Sequence, residues 1–571
     1  ARSSRIGQRA SPDVATFACV REDTVDFVGS GHRSMGEPRP PPARISPGQL
    51  RCWHSRGTAP DEESILSVTI NGNAQHLTQP ELERTLWAAA NALRGPVDAG
   101  DFKAYVFPVM FFKWVSDNWD YRHARAVSDW GDDLTPEIEY ADYQPFVVPN
   151  GCHWSDVHGT AVNVGAKLGD ALDRIQEANR DLAGVFGDVQ WANTDRLPES
   201  ALTALLDTFH PVRLDPDHVS GDLLGNAYEY LLREFAEASG KKAGEFFTPR
   251  HVVHLLVKIL DPKPGDEVVD PACGSGGMLV ETVNAVRESG GNPDSLRLHG
   301  QEINLTTSAI AKMNLYLHGL EDFEIRRGDT FRDPKFTERG RLRKFDVVIA
   351  NPPFSLQNWG ASAWANDPWG RVLCAVPPAK NGDYAWIQHM IASVKDDTGR
   401  VGVVMPHGVL FRGGKEGEIR RCLLERDLLE AVIGLPSNLF YSTPIPVCIL
   451  VWRKRKAPGR RNKVLFIDAS KRFRPSVNQN VMTTGDIDVV HAAYSRGEDV
   501  DGDAGAILRL VDMEDIARNG FDLNIGRYIQ TAQTAEVDVE AALAAYRDAR
   551  DELRATEHVL DAKLKAAGFD A

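Results

Sequence analysis

Cysteines are few in this sequence, and none has the spacing of a metal-binding or disulfide motif. The seven cysteines are scattered over 571 residues, and no two of them form a C-x-x-C pair. This distribution predicts neither a zinc site nor a disulfide framework, and it fits the reducing cytoplasm, where we expect the protein to reside. Long apolar runs are also lacking, so we expect no transmembrane helix. The first 57 residues contain arginines but no apolar segment of a secretory signal.

An excess of positive charge is lacking as well. The chain has 65 Lys and Arg against 80 Asp and Glu, a formal net charge of −15. Binding to nucleic acid requires local cations that neutralise phosphates. We therefore expect either a local basic face or a partner that supplies most such contacts. The densest basic cluster is Arg453–Lys456 with Arg460 and Arg461, which is either a solvated strand edge or a phosphate-binding site.

The most informative segment that is present is Val268–Leu279, with the sequence VVDPACGSGGML. β-Branched residues lead into Asp270, a glycine-rich turn follows, and a helical pattern begins at Met278. This order predicts a strand, a tight turn and a helix whose free N–H groups face a nucleotide-type ligand. The alternative is an ordinary strand-to-helix turn, because the dinucleotide fingerprint requires a third glycine where Leu279 stands.

A second motif follows a later strand. Phe345–Ala350 is mostly apolar, which predicts a buried parallel strand, and it ends at Asn351-Pro352-Pro353-Phe354. Two prolines stop the strand and stiffen the turn. An amide and an aromatic ring are then expected at the carboxyl edge of the sheet, where open α/β folds bind ligands. The alternative is a loop in which the asparagine only caps a helix.

Alternating strand and helix patterns predict a doubly wound α/β sheet. Two of the predicted strands end at Asp270 and at Asn351. The other predicted strands are Leu296–Ile303, Glu324–Arg327, Arg400–Met405, Ala431–Leu435 and Cys448–Trp452. The last two are expected to be the final strands and to form an antiparallel pair. The loop 355–383 contains three tryptophans and is expected either to cover a substrate or to be a poorly ordered connection.

The chain divides by composition into four parts. Thr78 and Glu81 have the spacing of a helix capping box, and Pro108 is expected to kink or split a helix over Asp101–Ser116. The expected parts are a disordered segment or upstream extension (1–75), an N-terminal helical domain (76–240), an α/β domain (241–475) and a C-terminal region with a partner-docking helix (476–571).

Taken in order, these motifs resemble the amino-methyltransferases that use S-adenosylmethionine. The fullest resemblance is to the modification subunit of type I restriction–modification systems, an N6-adenine DNA methyltransferase, and it runs from about Leu77 to the C-terminus. Further matching segments are Glu245–Arg250, Gly300–Asn304, Met313–Leu315 and Leu317–Gly319. The resemblance implies a doubly wound S-adenosylmethionine-dependent methyltransferase fold with an N-terminal helical domain and a C-terminal helical tail.

The resemblance also implies a cofactor site for S-adenosylmethionine and no metal. A carboxylate at Glu302 could accept hydrogen bonds from both ribose hydroxyls, whereas Asp329 either binds the adenine amine or caps a turn. His251 and His254 lack a third metal ligand nearby, so solvated helix histidines are the simpler interpretation. The predicted cofactor-binding residues are Glu245, Phe246, Phe247, Thr248, Pro249, Arg250, Asp270, Gly274, Ser275, Gly276, Gly277, Glu302 and Asp329.

The predicted catalytic residues are Asn351, Pro352 and Phe354. The exocyclic amine of a base is a poor nucleophile because its lone pair is delocalised into the ring. The side-chain oxygen of Asn351 and the carbonyl of Pro352 can accept from its two N–H groups and orient the lone pair. Phe354 can stack on a base rotated out of the duplex. Two alternatives remain, a protein-glutamine N5-methyltransferase with a similar turn and a catalytically silent assembly subunit.

The expected partners are double-stranded DNA with a flipped adenine, a specificity subunit shared by two methyltransferase chains, and an ATP-dependent restriction subunit. This chain itself has no P-loop motif. Near the C-terminus, apolar residues recur every seven positions, which predicts a docking helix over Val537–Ala571 or a helix that packs back on its own chain. The repeat comprises Val539, Tyr546, Leu553, Leu560 and Ala567, with Ala542, Ala549 and Thr556 three positions later and Lys563 in the last repeat.

Overall fold

The structure is a computed structural model that describes residues 76–238, 248–440, 444–476, 479–497, 507–529 and 539–566. The predictions for 1–75 and for Glu245, Phe246 and Phe247 lie outside the described residues. Within these ranges, no helix is long and apolar enough to cross a membrane.

A helical region comes first in the described chain. Glu81 Oε2 accepts from the backbone N–H of Thr78 at 2.9 Å, as the predicted capping box requires. The second helix is longer than expected and continues through Pro108, so the prediction of a split was wrong. Burial of the side chains of Val106–Phe112 outweighs the roughly 3 kcal/mol that an internal proline costs. The helices are α1 (Gln79–Ala92), α2 (Phe102–Trp130), α3 (Pro136–Asp142), α4 (Trp154–His158), α5 (Val164–Ala178), α6 (Glu199–Phe209) and α7 (Gly221–Ala238).

The described strands of the main sheet follow in a doubly wound order, β9-β8-β6-β7-β5-β4-β1-β2-β3. They are β1 (Glu267–Asp270), β2 (Arg297–Glu302), β3 (Phe323–Arg327), β4 (Val347–Ala350), β5 (Arg400–Pro406), β6 (Leu429–Gly434), β7 (Val447–Arg453), β8 (Lys463–Asp468) and β9 (Ile507–Asp512). β7 runs antiparallel between β5 and β6, as expected for the predicted pair, and β9 runs antiparallel to β8. The chain reverses its direction of winding between β1 and β4, so their carboxyl ends form the crevice where such folds bind ligands.

The prediction that β6 and β7 are the final strands was wrong. Lys463–Asp468 adds a parallel strand beside β6, and Ile507–Asp512 closes this edge as an antiparallel strand. Both segments are six residues long, and a short apolar run gives too little periodicity to separate a strand from a loop. They widen the sheet on the side away from the crevice.

Helices cover both faces of the sheet. In β4, Val347 and Ile349 enter the core on one face, whereas Val348 and Ala350 enter the core on the other, as strand geometry requires. The first face carries α8 (Arg250–Leu260), α9 (Gly277–Glu288), α10 (Leu305–Leu317) and α15 (Thr484–Arg496). The second carries α11 (Ala361–Trp364), α12 (Asp383–Ser393), α13 (Gly408–Phe411), α14 (Gly414–Glu425), α16 (Met513–Arg518) and α17 (Ile525–Tyr528).

The helical region and the α/β region share one core. Helix α10, which follows β2, contributes buried side chains to the core of the N-terminal helices as well as to the sheet. Its residues in the helical core are Ala309, Ile310, Met313, Tyr316 and Leu317. The two regions therefore meet through packed apolar side chains.

The last described helix, α18 (Val539–Ala566), has an uncovered apolar stripe. Tyr546 is 63% exposed, Leu553 58% and Leu560 54%. The alternative in which this helix packs back on its own chain is therefore wrong for these three residues. Whether the helix docks on another subunit stays a prediction.

The loop 355–383 is packed against the α/β region. Trp359 and Trp364 are buried around Phe331, and the buried Arg371 donates to the carbonyl oxygens of Thr330 and Phe331 at 2.9 Å. The expectation of a poorly ordered connection was wrong, because aromatic burial and hydrogen bonds to backbone carbonyls hold the loop.

A disulfide joins this loop to α14. Cys374 and Cys422 are bonded at an S–S distance of 2.09 Å. The cysteine pattern predicted no disulfide framework, and this single link was missed because the two residues are 48 positions apart and belong to no spacing motif.

Four of the six residues of the basic cluster form local ion pairs. Each residue of Arg453–Lys456 contacts a carboxylate, in the pairs Arg453–Glu430, Lys454–Asp396, Arg455–Asp397 and Lys456–Asp427. These contacts favour the strand-edge interpretation over a phosphate-binding site. They do not supply the local cations that DNA binding requires.

Candidate active site

A cavity of about 350 Å³ opens at the carboxyl ends of β1, β2 and β4. It collects predicted residues that are up to 103 positions apart in the chain. The predicted site residues that line it are Thr248, Arg250, Asp270, Gly274, Ser275, Gly277, Glu302, Asp329 and Asn351.

Four predicted residues do not line this cavity. Pro249 is the N-cap residue of α8, and Pro352 is buried in the turn after β4. Phe354 is half-buried, with its ring centroid 6.3 Å from that of Phe440 in an edge-on arrangement. Gly276 has a φ of +80°, and a Cβ atom there would face Ala311 at 3.6 Å. The position requires a left-handed backbone, and a contact of this backbone with the cofactor stays a prediction.

The glycine-rich turn is held from the strand beside it. The backbone N–H of Gly274 donates to Glu302 Oε2 at 3.2 Å, and the Asn314 side chain donates to the carbonyl of Ser275 at 3.0 Å. Glu302 also accepts from the N–H of Asn304 at 2.8 Å through Oε1. Burial raises the pKa of the Glu302 carboxyl. The turn and the end of β2 are thus fixed together around a nearly buried acid.

Asp329 caps the turn that follows it, as one of its two interpretations predicts. Its Oδ1 atom accepts from the N–H of Phe331 at 2.9 Å, and Oδ2 accepts from Arg332 at 3.0 Å. It caps this turn and at the same time lines the cavity. The adenine contact stays a prediction.

Two further carboxyls border the cavity and have raised pKa values. Asp270 is 2% exposed and accepts from the N–H of Ala272 at 2.9 Å, and burial raises its pKa to about 8. Burial also raises the pKa of Glu229, on α7, to about 6. A cationic ligand would favour the ionised form of these acids, because opposite charges attract strongly where water is excluded. The residues therefore fit a ligand with sulfonium and ammonium charges.

Asn351, which follows β4, has a side-chain oxygen without a hydrogen-bond partner in the described residues. Its Nδ2 atom donates to Thr248 Oγ1 at 2.9 Å, while its Oδ1 atom is buried and has no hydrogen-bond partner in the described residues. A buried acceptor without a partner is costly, and an amine donor from a ligand would satisfy it. The arrangement is suited to holding an N–H group of a substrate.

Several lining residues escaped the sequence analysis. Glu229 and Glu281 come from helices α7 and α9, and Ile303, Trp359 and Trp386 add apolar walls. Ile303 is 60% exposed directly after Glu302, and an exposed aliphatic residue next to a strand-end acid was the available signal. No motif marks Glu229 in the sequence.

The surroundings of the two histidines of α8 indicate a structural role. His254 Nδ1 lies 2.5 Å from Glu281 Oε1, and burial lowers the pKa of His251 to about 4. Across the described ranges, no group of three His, Cys, Asp or Glu side chains is arranged to hold a metal ion.

Two family models match the chain. The model described as N-6 DNA methylase matches residues 219–537, and the model described as HsdM N-terminal domain matches residues 82–209. The first covers more than half of the chain and contains every residue that lines the cavity.

Similar proteins share one description. The methylase subunit of the type I restriction enzyme MjaVII of Methanocaldococcus jannaschii is 31% identical over 507 residues, 83% of this chain and 82% of that protein. The HindI methylase subunit of Haemophilus influenzae is 33% identical over 395 residues, 67% of this chain and 87% of that protein. A crystal structure of a type I restriction–modification methyltransferase subunit from Streptococcus thermophilus has a TM-score of 0.69 and 32% identity, covering 80% of this chain and all of that one.

These likenesses confirm the resemblance drawn from the motifs. They extend over the helical region, the sheet and the cavity together, so they concern the whole described architecture rather than one motif. The chain belongs to the N-6 DNA methylase family and is the S-adenosylmethionine-dependent modification subunit of a type I restriction–modification system, an enzyme that methylates adenine in DNA at N6.

Proposed function

We propose that the cavity at the ends of β1, β2 and β4 holds S-adenosylmethionine beside a flipped adenine, and that Asn351 presents the adenine amine. The observation that carries this proposal is the unpaired, buried Oδ1 atom of Asn351 beside a cavity lined by buried carboxyls. When bound, S-adenosylmethionine supplies an electrophilic methyl group.

The cofactor-binding roles follow from position and charge. Glu302 accepts hydrogen bonds from the ribose hydroxyls of the cofactor, and Asp329 accepts a hydrogen bond from its adenine amine. Asp270 and the N–H groups of the turn surround the amino-acid end. Arg250, at the first turn of α8, provides a cation for the carboxylate of that end. The predicted contributions of Glu245, Phe246 and Phe247 belong to the same proposal.

Catalysis is a matter of orientation and electrostatics. Asn351 Oδ1 and the carbonyl of Pro352 each accept one N–H of the target amine, which directs the nitrogen lone pair towards the methyl carbon. Phe354 follows Asn351 and Pro352 in the same turn, and its ring can stack on the flipped base. Bound S-adenosylmethionine would supply the methyl group, and the amine nitrogen held by Asn351 and Pro352 would lose one proton to solvent.

The assembly follows from charge and exposure. A chain with a net charge of −15, in which Arg453–Lys456 already form ion pairs, needs a partner for DNA binding. The stripe of Tyr546, Leu553 and Leu560 on α18 is suited to helix packing. We infer that it docks on a separate specificity subunit, with two methyltransferase chains per specificity chain, in the cytoplasm. An ATP-dependent restriction subunit completes the assembly.

The test is a methylation assay with the specificity subunit present and absent. Incubation with labelled cofactor and unmethylated genomic DNA should yield N6-methyladenine by mass spectrometry of the digested product. Asn351→Ala should abolish the product and leave cofactor affinity within a few-fold, because Asn351 contacts the target amine. Label in a protein glutamine, or no label with any substrate, would favour the glutamine methyltransferase or the silent assembly subunit. Turnover by Asn351→Ala would refute the role of Asn351.

A further inference from the structure

The cofactor cavity has a wall that comes from the N-terminal helical region. Glu229 lies on α7, whereas the other acids of the cavity lie on the sheet edge or on α9. Its side chain is 18% exposed, and the residue borders the cavity. A carboxylate is thus delivered to the cofactor site by an element outside the α/β fold.

Glu229 is close to the start of α9, where the glycine-rich turn ends. A Cβ atom built on Gly277 would lie 4.0 Å from Glu229 Oε1. Gly277 is the first residue of α9, whose free N–H groups face the cavity. In the proposed cofactor site, the amino-acid tail of the cofactor lies at this end of the cavity.

Arg250 stands at the same end and has the opposite charge. Its guanidinium reaches α7 through a 3.4 Å contact between its nitrogen and Asn226 Oδ1, and it also borders the cavity. A guanidinium and a carboxylate on one wall are complementary to an amino-acid zwitterion, which carries a carboxylate and an ammonium group. Arg250 fits the first group and Glu229 fits the second.

His318 does not neutralise Glu229, but Arg250 and a side-chain hydrogen bond from Asn314 stabilise its charge. His318 Nε2 lies 3.9 Å from Glu229 Oε1, but burial lowers the pKa of His318 to about 4, so the ring is neutral at physiological pH. Glu281, which also borders the cavity, is already engaged by His254 at 2.5 Å. Burial and the negative charge of Glu281 both raise the pKa of Glu229, whereas Arg250 and Arg233 lower it.

We propose that Glu229 binds the α-ammonium group of the cofactor, opposite Arg250, so that the helical region and the α/β region share the cofactor site. This inference rests on the proposed cofactor site and adds to it a residue, a ligand group and a structural region. Loss of the carboxylate charge should then weaken binding only of ligands that carry the ammonium group.

Three ligands isolate that group in the full chain. S-Adenosylhomocysteine has the complete amino-acid tail, its deamino analogue keeps only the carboxylate, and 5′-methylthioadenosine has no tail. Calorimetry should show that Glu229→Gln weakens S-adenosylhomocysteine about tenfold or more, the usual effect of a charge-assisted hydrogen bond. The other two affinities should change less than twofold. Asp222→Asn, on the exposed start of the same helix, should change none of the three.

The outcomes separate this inference from the cofactor site itself. Unchanged S-adenosylhomocysteine affinity in Glu229→Gln, or an equal loss for all three ligands, would overturn the ammonium contact while leaving the site in place. A wild-type chain that binds none of the ligands would overturn both. If Glu229→Gln fails to fold, judged by thermal melting without ligand, Glu229→Asp should show a smaller loss that is again confined to S-adenosylhomocysteine; uniform affinities in that variant would refute the contact.

Discussion

The side-chain nitrogen of Asn351 donates a hydrogen bond to the hydroxyl of Thr248 over 2.9 Å. This contact joins the end of β4 to the residue that precedes Pro249 and α8. Because the nitrogen is occupied, the oxygen of the same amide is the atom left to accept from a substrate. The hydroxyl therefore decides which way the amide of Asn351 faces.

Thr248→Val should lower the single-turnover rate of methyl transfer roughly tenfold, the cost of one orienting hydrogen bond. Thr248→Ser keeps the hydroxyl and should stay close to the wild-type rate. Cofactor affinity is measured in parallel, because Thr248 also borders the cavity. A wild-type rate in Thr248→Val, or an equal loss in both variants, would contradict the orienting role.

Gly276→Ala should weaken cofactor binding through the backbone. The residue has a φ of +80°, which costs a side-chain-bearing residue about 1–2 kcal/mol, and relief of that strain would move the turn. Gly290→Ala is the matched control, since it has a φ of +77° and open space around it, at the far end of α9. Both variants should melt at lower temperature, but only Gly276→Ala should lose affinity in calorimetry. Equal affinities would remove the turn from the binding site.

Cofactor binding should release protons near neutral pH. The pKa of Asp270 is about 8 and that of Glu229 about 6, so at pH 7 the Asp270 carboxyl is mostly protonated. A cationic ligand favours the ionised forms and lowers both pKa values, so affinity should fall as the pH drops from about 8 through about 6. Calorimetry at pH 7 in buffers of different ionisation enthalpy should detect roughly 0.5–1 proton released. Asp270→Asn should remove most of this release; a buffer-independent heat in the wild type would contradict the linkage.

Replacement of Tyr546, Leu553 and Leu560 by serine should abolish co-purification with the specificity subunit and site-specific methylation. These exposed side chains form the stripe on α18, and their burial would drive docking. Deletion of residues 537–571 should have the same effect, with cofactor binding intact in both variants. Serine at Asp551, Arg554 and Glu557, exposed residues of the same helix, is the matched control and should assemble normally. Assembly and methylation by the truncated chain would exclude α18 as the docking element.

Much of the α/β region was predictable because its segments carry strong local signals. β1 ends at Asp270 and β5 begins at Arg400, both as predicted. Here apolar runs end in glycine, proline or a capping asparagine, so local residues determine where each element stops. The collection of Asp270, Glu302 and Asn351 at one edge followed from the parallel order of their strands.

The remaining features depend on contacts between distant segments. Glu229 reaches the cavity only because α7 packs on α10, and the Cys374–Cys422 bond depends on where the loop 355–383 lies. β8 and β9 are strands because β6 offers a free edge.

The core that α10 shares with the helical region makes the two regions one cooperative folding unit. Unfolding of the α/β region would strip Ile310, Met313 and Tyr316 from the core of the N-terminal helices, and loss of those helices would expose the same side chains to water. Exposure of three such side chains to water costs several kcal/mol of folding free energy, a large part of the net stability of a typical domain. The two regions are consecutive in the chain but should unfold together, and neither should be stable as an isolated fragment.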